Sequence, residues 1–295
     1  MKFASFDNGH IGMIVDDELV DFTELGSVPA GSWPPVGMVK FIADFEAIQP
    51  KLQAALTSAH RQPLAAKRLE CPVQWPNKVI AFPANYHAHI EEMKQGTGLI
   101  SAFKASGQGF FLKSNSSLGG PNDPIVLPAL ADREIHHECE LAVIIGKGGR
   151  HISRAAAMDH VFGYACLIDV VVRGKEERVM RKSYDTFCPL GPYLVTRDEV
   201  PDHTDIDLQL TVNGEIRQQA NTRDLIVDIP DMIRMASAVM TLQPGDVIAS
   251  GTPSGVGPIK GGDSVTIRIS GVGSMTLDVV QGDSGGHEVW DKTTA

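Results

Sequence analysis

The sequence predicts a mixed α+β, β-rich fold, and three observations carry that prediction. Apolar runs of strand length, 141–146 and 161–168 among them, recur between turn-forming residues. Residues 206–212 alternate apolar and polar side chains and end at Asn213-Gly214, a pair that tolerates the left-handed backbone of a tight hairpin. One segment, opened by Pro230, keeps Ile229, Met232, Ile233, Ala236, Val239 and Met240 on a single helical stripe. With 295 residues and 43% hydrophobic content, the chain can bury a full core.

Residues 1 to about 75 alternate short strand-like pieces, 9–15 and 19–22, with turns, and a helix-like patch at 38–45 follows the Pro34-Pro35 break. This predicts a small N-terminal α+β domain over 1–75, bounded between Cys71-Pro72 and Trp75-Pro76. His10 reads as a structural hairpin residue. Residues 78–82 open the main body as a strand and run into 83–93, which as a helix puts His89 and Glu92 on one face. The segment 94–110 is rich in glycine and small polar residues, the composition of a loop that can order over a bound substrate. A strand at 110–112 and the stretch 123–128 lead to the apolar strand 136–146. Residues 152–160 have helical periodicity and cross to a second buried strand, 161–172; a strand at 193–196, the 206–212 hairpin, the Pro230 helix and a strand at 247–250 follow. In Gly251-Thr252-Pro253-Ser254-Gly255-Val256-Gly257, backbone N–H groups can converge on an anion, although the spacing matches neither a P-loop nor a dinucleotide fingerprint. Strands at 265–269 and 275–280 close the sheet as a hairpin, and 282–295 is expected to form a loosely ordered tail.

A formal net charge of -10, with no run of Lys or Arg, argues against a nucleic-acid or anionic-membrane partner, because either would require clustered cations. No apolar stretch reaches membrane-spanning length, and Met1-Lys2-Phe3-Ala4-Ser5-Phe6-Asp7 lacks the apolar centre of a signal peptide, so a cytoplasmic protein is expected. Cys71, Cys139, Cys166 and Cys188 form no Cys-x-x-Cys pair and sit mostly in apolar runs, as reduced core residues do.

The chemistry centres on His136-His137-Glu138-Cys139-Glu140-Leu141. In a strand, Glu138 and Glu140 share a face and Cys139 takes the other. Two like charges at the mouth of an apolar run repel and are driven towards protonation unless a cation joins them. On an exposed strand face such a pair is an ordinary solvated edge. Asp169 argues for the metal instead, since a lone aspartate inside a second buried strand needs a partner. Glu138, Glu140 and Asp169 together form an all-oxygen set suited to Mg²⁺ or Mn²⁺. His89 with Glu92 has the pattern of an imidazole base oriented by a carboxylate; alone it is equally a surface pair.

Taken together these motifs resemble the fumarylacetoacetate hydrolase family over roughly residues 75–281. They are Asn85-Tyr86-x-x-His89-x-x-Glu92, Glu138-x-Glu140-Leu141, Gly163-Tyr164 with Asp169 and Arg173, Lys182-Ser183-x-Asp185-Thr186, Val212-Asn213-Gly214-Glu215, and Pro244-Gly245-Asp246-Val247-Ile248 running to Gly251-Thr252-Pro253-x-Gly255-Val256-Gly257. The resemblance implies a catalytic domain, 76–281, built as a β-roll around a Mg²⁺ or Mn²⁺ held by Glu138, Glu140 and Asp169. It also implies His89 and Glu92 on a lid activating water, Lys182 as a third catalytic residue, Arg173, Thr252 and Tyr86 as substrate-binding residues, and a homodimer. The implied activity is metal-dependent hydrolysis of the carbon–carbon bond of a 1,3-dicarbonyl acid of acylpyruvate type, with a small-molecule 2-oxo acid as partner. Alternatives are isomerisation or decarboxylation of a 2-oxo or 2-hydroxydiene dioate at the same site, and a metal-binding homologue without catalysis. A metal-free cysteine or serine hydrolase is disfavoured, because Cys188 precedes Pro189 in a structural corner. The chain departs from the family pattern at Val170-Val171-Val172-Arg173-Gly174-Lys175-Glu176, in a shortened stretch before Lys182, and at His137, where an aromatic often precedes the Glu-x-Glu pair. These departures bear on the substrate more than on the metal.

Overall fold

Two adjacent strands with every residue buried set the architecture. In the computed structural model, which describes residues 1–58, 60–97, 105–130 and 133–283, Cys139–Ile145 pairs antiparallel with Val161–Ile168. Their alternating side chains enter two different cores. Cys139, Leu141, Val143 and Ile145, with Tyr164, Cys166 and Ile168, face one side; Ala142 and Ile144, with Ala165 and Leu167, face the other. The first core is closed by a five-stranded sheet, in the order Glu215–Asn221, Asp207–Val212, Ser264–Ile269, Gly273–Gln281, Ile125–Leu127, and by the helix Ile229–Val239. Helices Gly37–Ala43 and Phe45–Ser58 cover the second through Phe41, Ile42, Ile48 and Leu52.

The central pair lies within a 12-stranded sheet. Arg61–Pro63, Glu18–Asp21, His10–Val15, Lys2–Phe6 and Cys188–Thr196 flank Val161–Ile168, while Val247–Ala249, Val79–Ala81 and Phe111–Lys113 extend it beyond Cys139–Ile145. Residues on both sides of the boundary expected near position 75 share this sheet, since Lys2 and Phe3 pair with Val195 and Leu194.

Several expected elements form as read. Asn213 (φ 53°) and Gly214 (φ 82°) make the hairpin turn closed by Val212 and Glu215. Asp228 caps the Ile229–Val239 helix by accepting from the Asp231 N–H at 3.0 Å. Residues 154–160, with their helical periodicity, wind as a 3₁₀ helix capped by Ser153.

The two acid-bearing strands depart from expectation. The stretch 136–146 is two strands broken at Glu138, and 161–172 is broken at Asp169-Val170. Below the breaks, Ile135–His137 leaves the large sheet to pair with Val171–Val172 and Gly257–Pro258 in a three-stranded one. At the handover the Asp169 N–H donates to the Glu138 carbonyl at 2.9 Å, so both acids sit at the same level. The 282–295 tail lies outside the described residues from 284 on, and the middle of the 94–110 segment lies outside them too.

Asn85 ties the main-body strand to its neighbours. It is fully buried, its amide donating to the Val227 and Ser250 carbonyls and its oxygen accepting from the Val227 N–H. Asn85→Ala leaves these backbone groups unpaired and is expected to lower the unfolding free energy by about 2–4 kcal/mol. Urea denaturation checks this, and a change below about 0.5 kcal/mol, the range of an ordinary surface substitution, would contradict it.

Candidate active site

At the double break, face alternation brings the acids together. Glu140 continues the face of Ala142 and Ile144, Asp169 that of Ala165 and Leu167, and one oxygen from each of Glu138, Glu140 and Asp169 lies within 4.8 Å of the others. All three residues are buried. Two ammonium groups compensate part of this charge in different ways. Lys113 Nζ donates to Asp169 Oδ1 and to the Lys182 and Phe187 carbonyls, which uses all its donors. Lys182 Nζ donates to Glu138 Oε2 at 2.8 Å and Asp169 Oδ2 at 2.5 Å and keeps its third donor on the wall of the cavity.

Three carboxylates against two ammonium groups leave a deficit of positive charge. Glu140 bears it: burial, then repulsion from Asp169 and Glu138, pushes its carboxyl well above the usual range, with Lys182 and the Gly251 N–H only partly offsetting this. For Asp169, burial works upward, but Lys113 and Lys182 outweigh it and hold the carboxyl below its ordinary value. Burial would strip the proton from Lys182, yet Asp169, Glu138 and Glu140 reverse that and raise its pKa.

The helix His87–Thr97 supplies the second group. His89 Nδ1 lies 2.9 Å from Glu92 Oε2, which fixes a proton on Nδ1 and leaves Nε2 as the basic nitrogen. Burial raises the Glu92 carboxyl, but hydrogen bonds from His89 and the Gly255 N–H more than cancel it, so Glu92 is held low and stays ionised. The glycine-rich loop does gather anions, and they belong to the protein: Gly251 N–H donates to Glu140 Oε2 at 2.8 Å and Gly255 N–H to Glu92 Oε1 at 2.9 Å. Both glycines have left-handed φ, and a Cβ on Gly255 would collide with the Arg217 carbonyl.

These groups face one cavity of about 400 Å³. Of the residues expected from the sequence, His89, Lys182, Arg173, Thr252, Glu138, Glu140 and Asp169 line it, while Glu92 acts from behind His89. Tyr86, expected to bind substrate, lies elsewhere. It is not among the lining residues; its ring packs in the core, 2% exposed, with a buried hydroxyl that has no hydrogen-bond partner among the described residues.

Sequence reading missed four contributors. Lys113 looks like the end of an ordinary strand. Gln218, in a polar edge strand, is a buried strut whose Oε1 accepts from the Cys139 N–H and His137 Nδ1 and whose Nε2 donates to Thr252 Oγ1 and the Pro253 carbonyl. Arg178 and Arg181 reach the cavity from a short helix, Arg178–Arg181, inside the segment that departs from the family pattern.

Residues 78–280 match the family model described as fumarylacetoacetate (FAA) hydrolase C-terminal. The maleylpyruvate hydrolase of Aquipseudomonas alcaligenes is 41% identical over 285 residues, covering 95% of this chain and 99% of that protein. Among solved structures, maleylpyruvate hydrolase from Sphingobium sp. SYK-6 in complex with manganese(II) ion and pyruvate is similar at a TM-score of 0.87 and 53% identity, over 96% of this chain and all of that one. 5-Carboxymethyl-2-hydroxymuconate delta-isomerase from Mycobacterium smegmatis is similar at a TM-score of 0.73 and 34% identity, over 96% of this chain and 100% of that one.

The raised Glu140 carboxyl gives a signed prediction for cation-free protein. Its contribution to stability is fully present below the unfolded carboxylate pKa and is lost as pH rises through the higher folded value. In EDTA, Glu140→Gln should therefore melt above the wild type at pH 8, with the gap closing towards pH 4. Melting curves across that interval check it, and a variant less stable at pH 8 would refute the charge deficit.

Proposed function

This chain belongs to the fumarylacetoacetate hydrolase family, and from that premise we propose that it hydrolyses the carbon–carbon bond of a 1,3-dicarbonyl acid of the acylpyruvate type, using Mg²⁺ or Mn²⁺ held by Glu138, Glu140 and Asp169. The observation that carries this reading is the meeting of the three-carboxylate cluster and the His89–Glu92 pair at one cavity. The donor set fits a hard divalent cation: it is all oxygen, it is one positive charge short, and Glu138 Oε1 and Glu140 Oε1 have no hydrogen-bond partner among the described residues. The manganese and pyruvate bound by the Sphingobium relative support both the metal and a pyruvate product.

A divalent cation at this cluster supplies Lewis-acid stabilisation of negative charge on the oxygens of a 2-oxo acid. The chain's own groups do the rest. His89 Nε2 takes a proton from water while Glu92 holds Nδ1–H and favours the imidazolium that results. The water oxygen bonds to the acyl carbonyl carbon, the bond from that carbon to the methylene of the pyruvate half breaks, and the electron pair leaves as the pyruvate enolate. The proton on Nε2 then returns to the enolate. Thr252 Oγ1 accepts from Gln218 Nε2, so its own hydrogen is free to donate to an oxyanion in the cavity. Lys182, with one donor unspent, can do the same. The same reading includes a homodimer, as the family resemblance implies, and a place in the cytoplasm; sedimentation at twice the chain mass would agree with the first part.

A second reading, isomerisation or decarboxylation of a 2-oxo dioate, has the Mycobacterium smegmatis isomerase in its favour and needs no attacking water. His89→Ala separates the two. Hydrolysis should fall about 10²–10⁴-fold, the usual worth of a general base, while oxaloacetate decarboxylation, if present, survives. Pyruvate release from an acylpyruvate panel with Mg²⁺ or Mn²⁺ is the direct measurement, and no release from any member overturns the hydrolase reading.

A further inference from the structure

The edge strand Glu215–Asn221 carries an inverted pattern. Ile216 is 59% exposed, whereas Gln218, two residues on, is 1% exposed. A bulge causes the inversion: Leu210 opposes Gln218 and Thr211 opposes Ile216, so Arg217 has no opposite number. Gln218 therefore keeps the core-facing side of Leu208 and Leu210, both fully buried, while Ile216 turns outward. An apolar side chain there would cost less, since a buried glutamine gives up solvation and rotamer freedom. Gln218 instead fills every hydrogen-bonding position of its amide, both lone pairs of Oε1 and both hydrogens of Nε2.

The partners also fix which way round the amide lies. The Cys139 N–H can only donate and the Pro253 carbonyl can only accept, so Oε1 faces the first and Nε2 the second, each at 2.9 Å. His137 Nδ1, 3.0 Å from Oε1, therefore carries a proton, and Thr252 Oγ1, 2.7 Å from Nε2, is obliged to accept. Each link passes its direction to the next. The Thr252 hydroxyl cannot spend its hydrogen on Gln218, and among the described residues it donates to no other group. Thr252 lines the cavity and directly follows Gly251, whose N–H holds Glu140. Its hydrogen is thus reserved for a ligand oxygen in the cavity that the acid cluster also lines.

We propose that Gln218, which does not itself line the cavity, is a positioning residue: by donating to Thr252 Oγ1 it fixes the threonine as a donor to the oxygen on which negative charge develops. This rests on the hydrolase reading, and wild-type turnover of an acylpyruvate separates the two. Gln218→Glu keeps the shape but sets an acceptor opposite Thr252, which draws the hydroxyl hydrogen inward. Gln218→Met keeps the volume and breaks all four bonds, so a side chain that merely braced the fold would suffer more from it. The reverse order is expected. At saturating Mg²⁺, kcat on the best acylpyruvate should fall about 10–100-fold in Gln218→Glu and less in Gln218→Met, with KM within about threefold, a share of the worth of an oxyanion donor. In a Thr252→Val background, where the hydroxyl is already gone, neither change should lower kcat by more than about a further twofold. If Gln218→Glu does not fold, Gln218→Met with and without Thr252→Val makes the same comparison. An unchanged kcat in Gln218→Glu, a larger loss in Gln218→Met, or losses that multiply with that of Thr252→Val overturns the proposal and leaves the hydrolase reading intact. A wild type that releases no pyruvate from any acylpyruvate removes both.

Discussion

Burying three carboxylates at one point is the constraint on which the rest of this structure depends. Unpaired, they would be expelled to solvent or protonated; each alternative costs several kcal/mol per charge in a low-dielectric interior. The protein compensates with Lys113, saturated and buried behind Asp169, and Lys182, which bridges Asp169 and Glu138 from the cavity side. That compensation stops one charge short. The shortfall shows at Glu140, which among the described residues has no ammonium within hydrogen-bonding reach and takes only a backbone N–H from Gly251. A fold with fully paired charges there would be more stable without a cation and less able to take one.

Keeping the acids level requires the backbone to break twice in register. Had both strands continued in the large sheet, their ladder hydrogen bonds would have run past the acids. Instead the Glu138 carbonyl receives the Asp169 N–H, and the chain segments on the far side pair in a different sheet. Gln218 holds the seam closed, engaging the Cys139 N–H on one side and Thr252 with Pro253 on the other. Through Gly251 and Gly255 the same loop grips Glu140 and Glu92, so the acid cluster and the His89–Glu92 pair are anchored to one segment. This is how a histidine on a short helix keeps its position relative to a cluster built by strands.

Much of the site was legible because its residues are improbable where they stand. Glu138, Glu140 and Asp169 interrupt apolar runs, and an i, i+3 spacing places His89 beside Glu92 on any helix. The breaks at Glu138 and Asp169 were not legible, because Cys139 and Val170 are apolar and a strand that changes sheets keeps the alternation of one that does not. Pairing of Lys2–Phe6 with Cys188–Thr196 joins residues nearly two hundred positions apart, which no local pattern encodes. Tyr86 was placed in the site by its motif, but it precedes the first turn of the helix and its ring turns into the core. Arg178 and Arg181 lie where the chain leaves its family's pattern, so resemblance offered nothing to carry over.

The charge of the whole chain and the charge of its cavity have opposite consequences. A net charge of -10 would repel a small dianion in free solution. That repulsion is screened over roughly 8 Å at physiological ionic strength, so surface acids on the far side of the molecule contribute little at the cavity mouth. Inside, low-dielectric walls preserve local fields, and there the guanidinium groups of Arg173, Arg178 and Arg181 line the same cavity as the carboxylates. For an anionic ligand the guanidinium groups at the cavity therefore count for more than the distant surface acids that set the net charge.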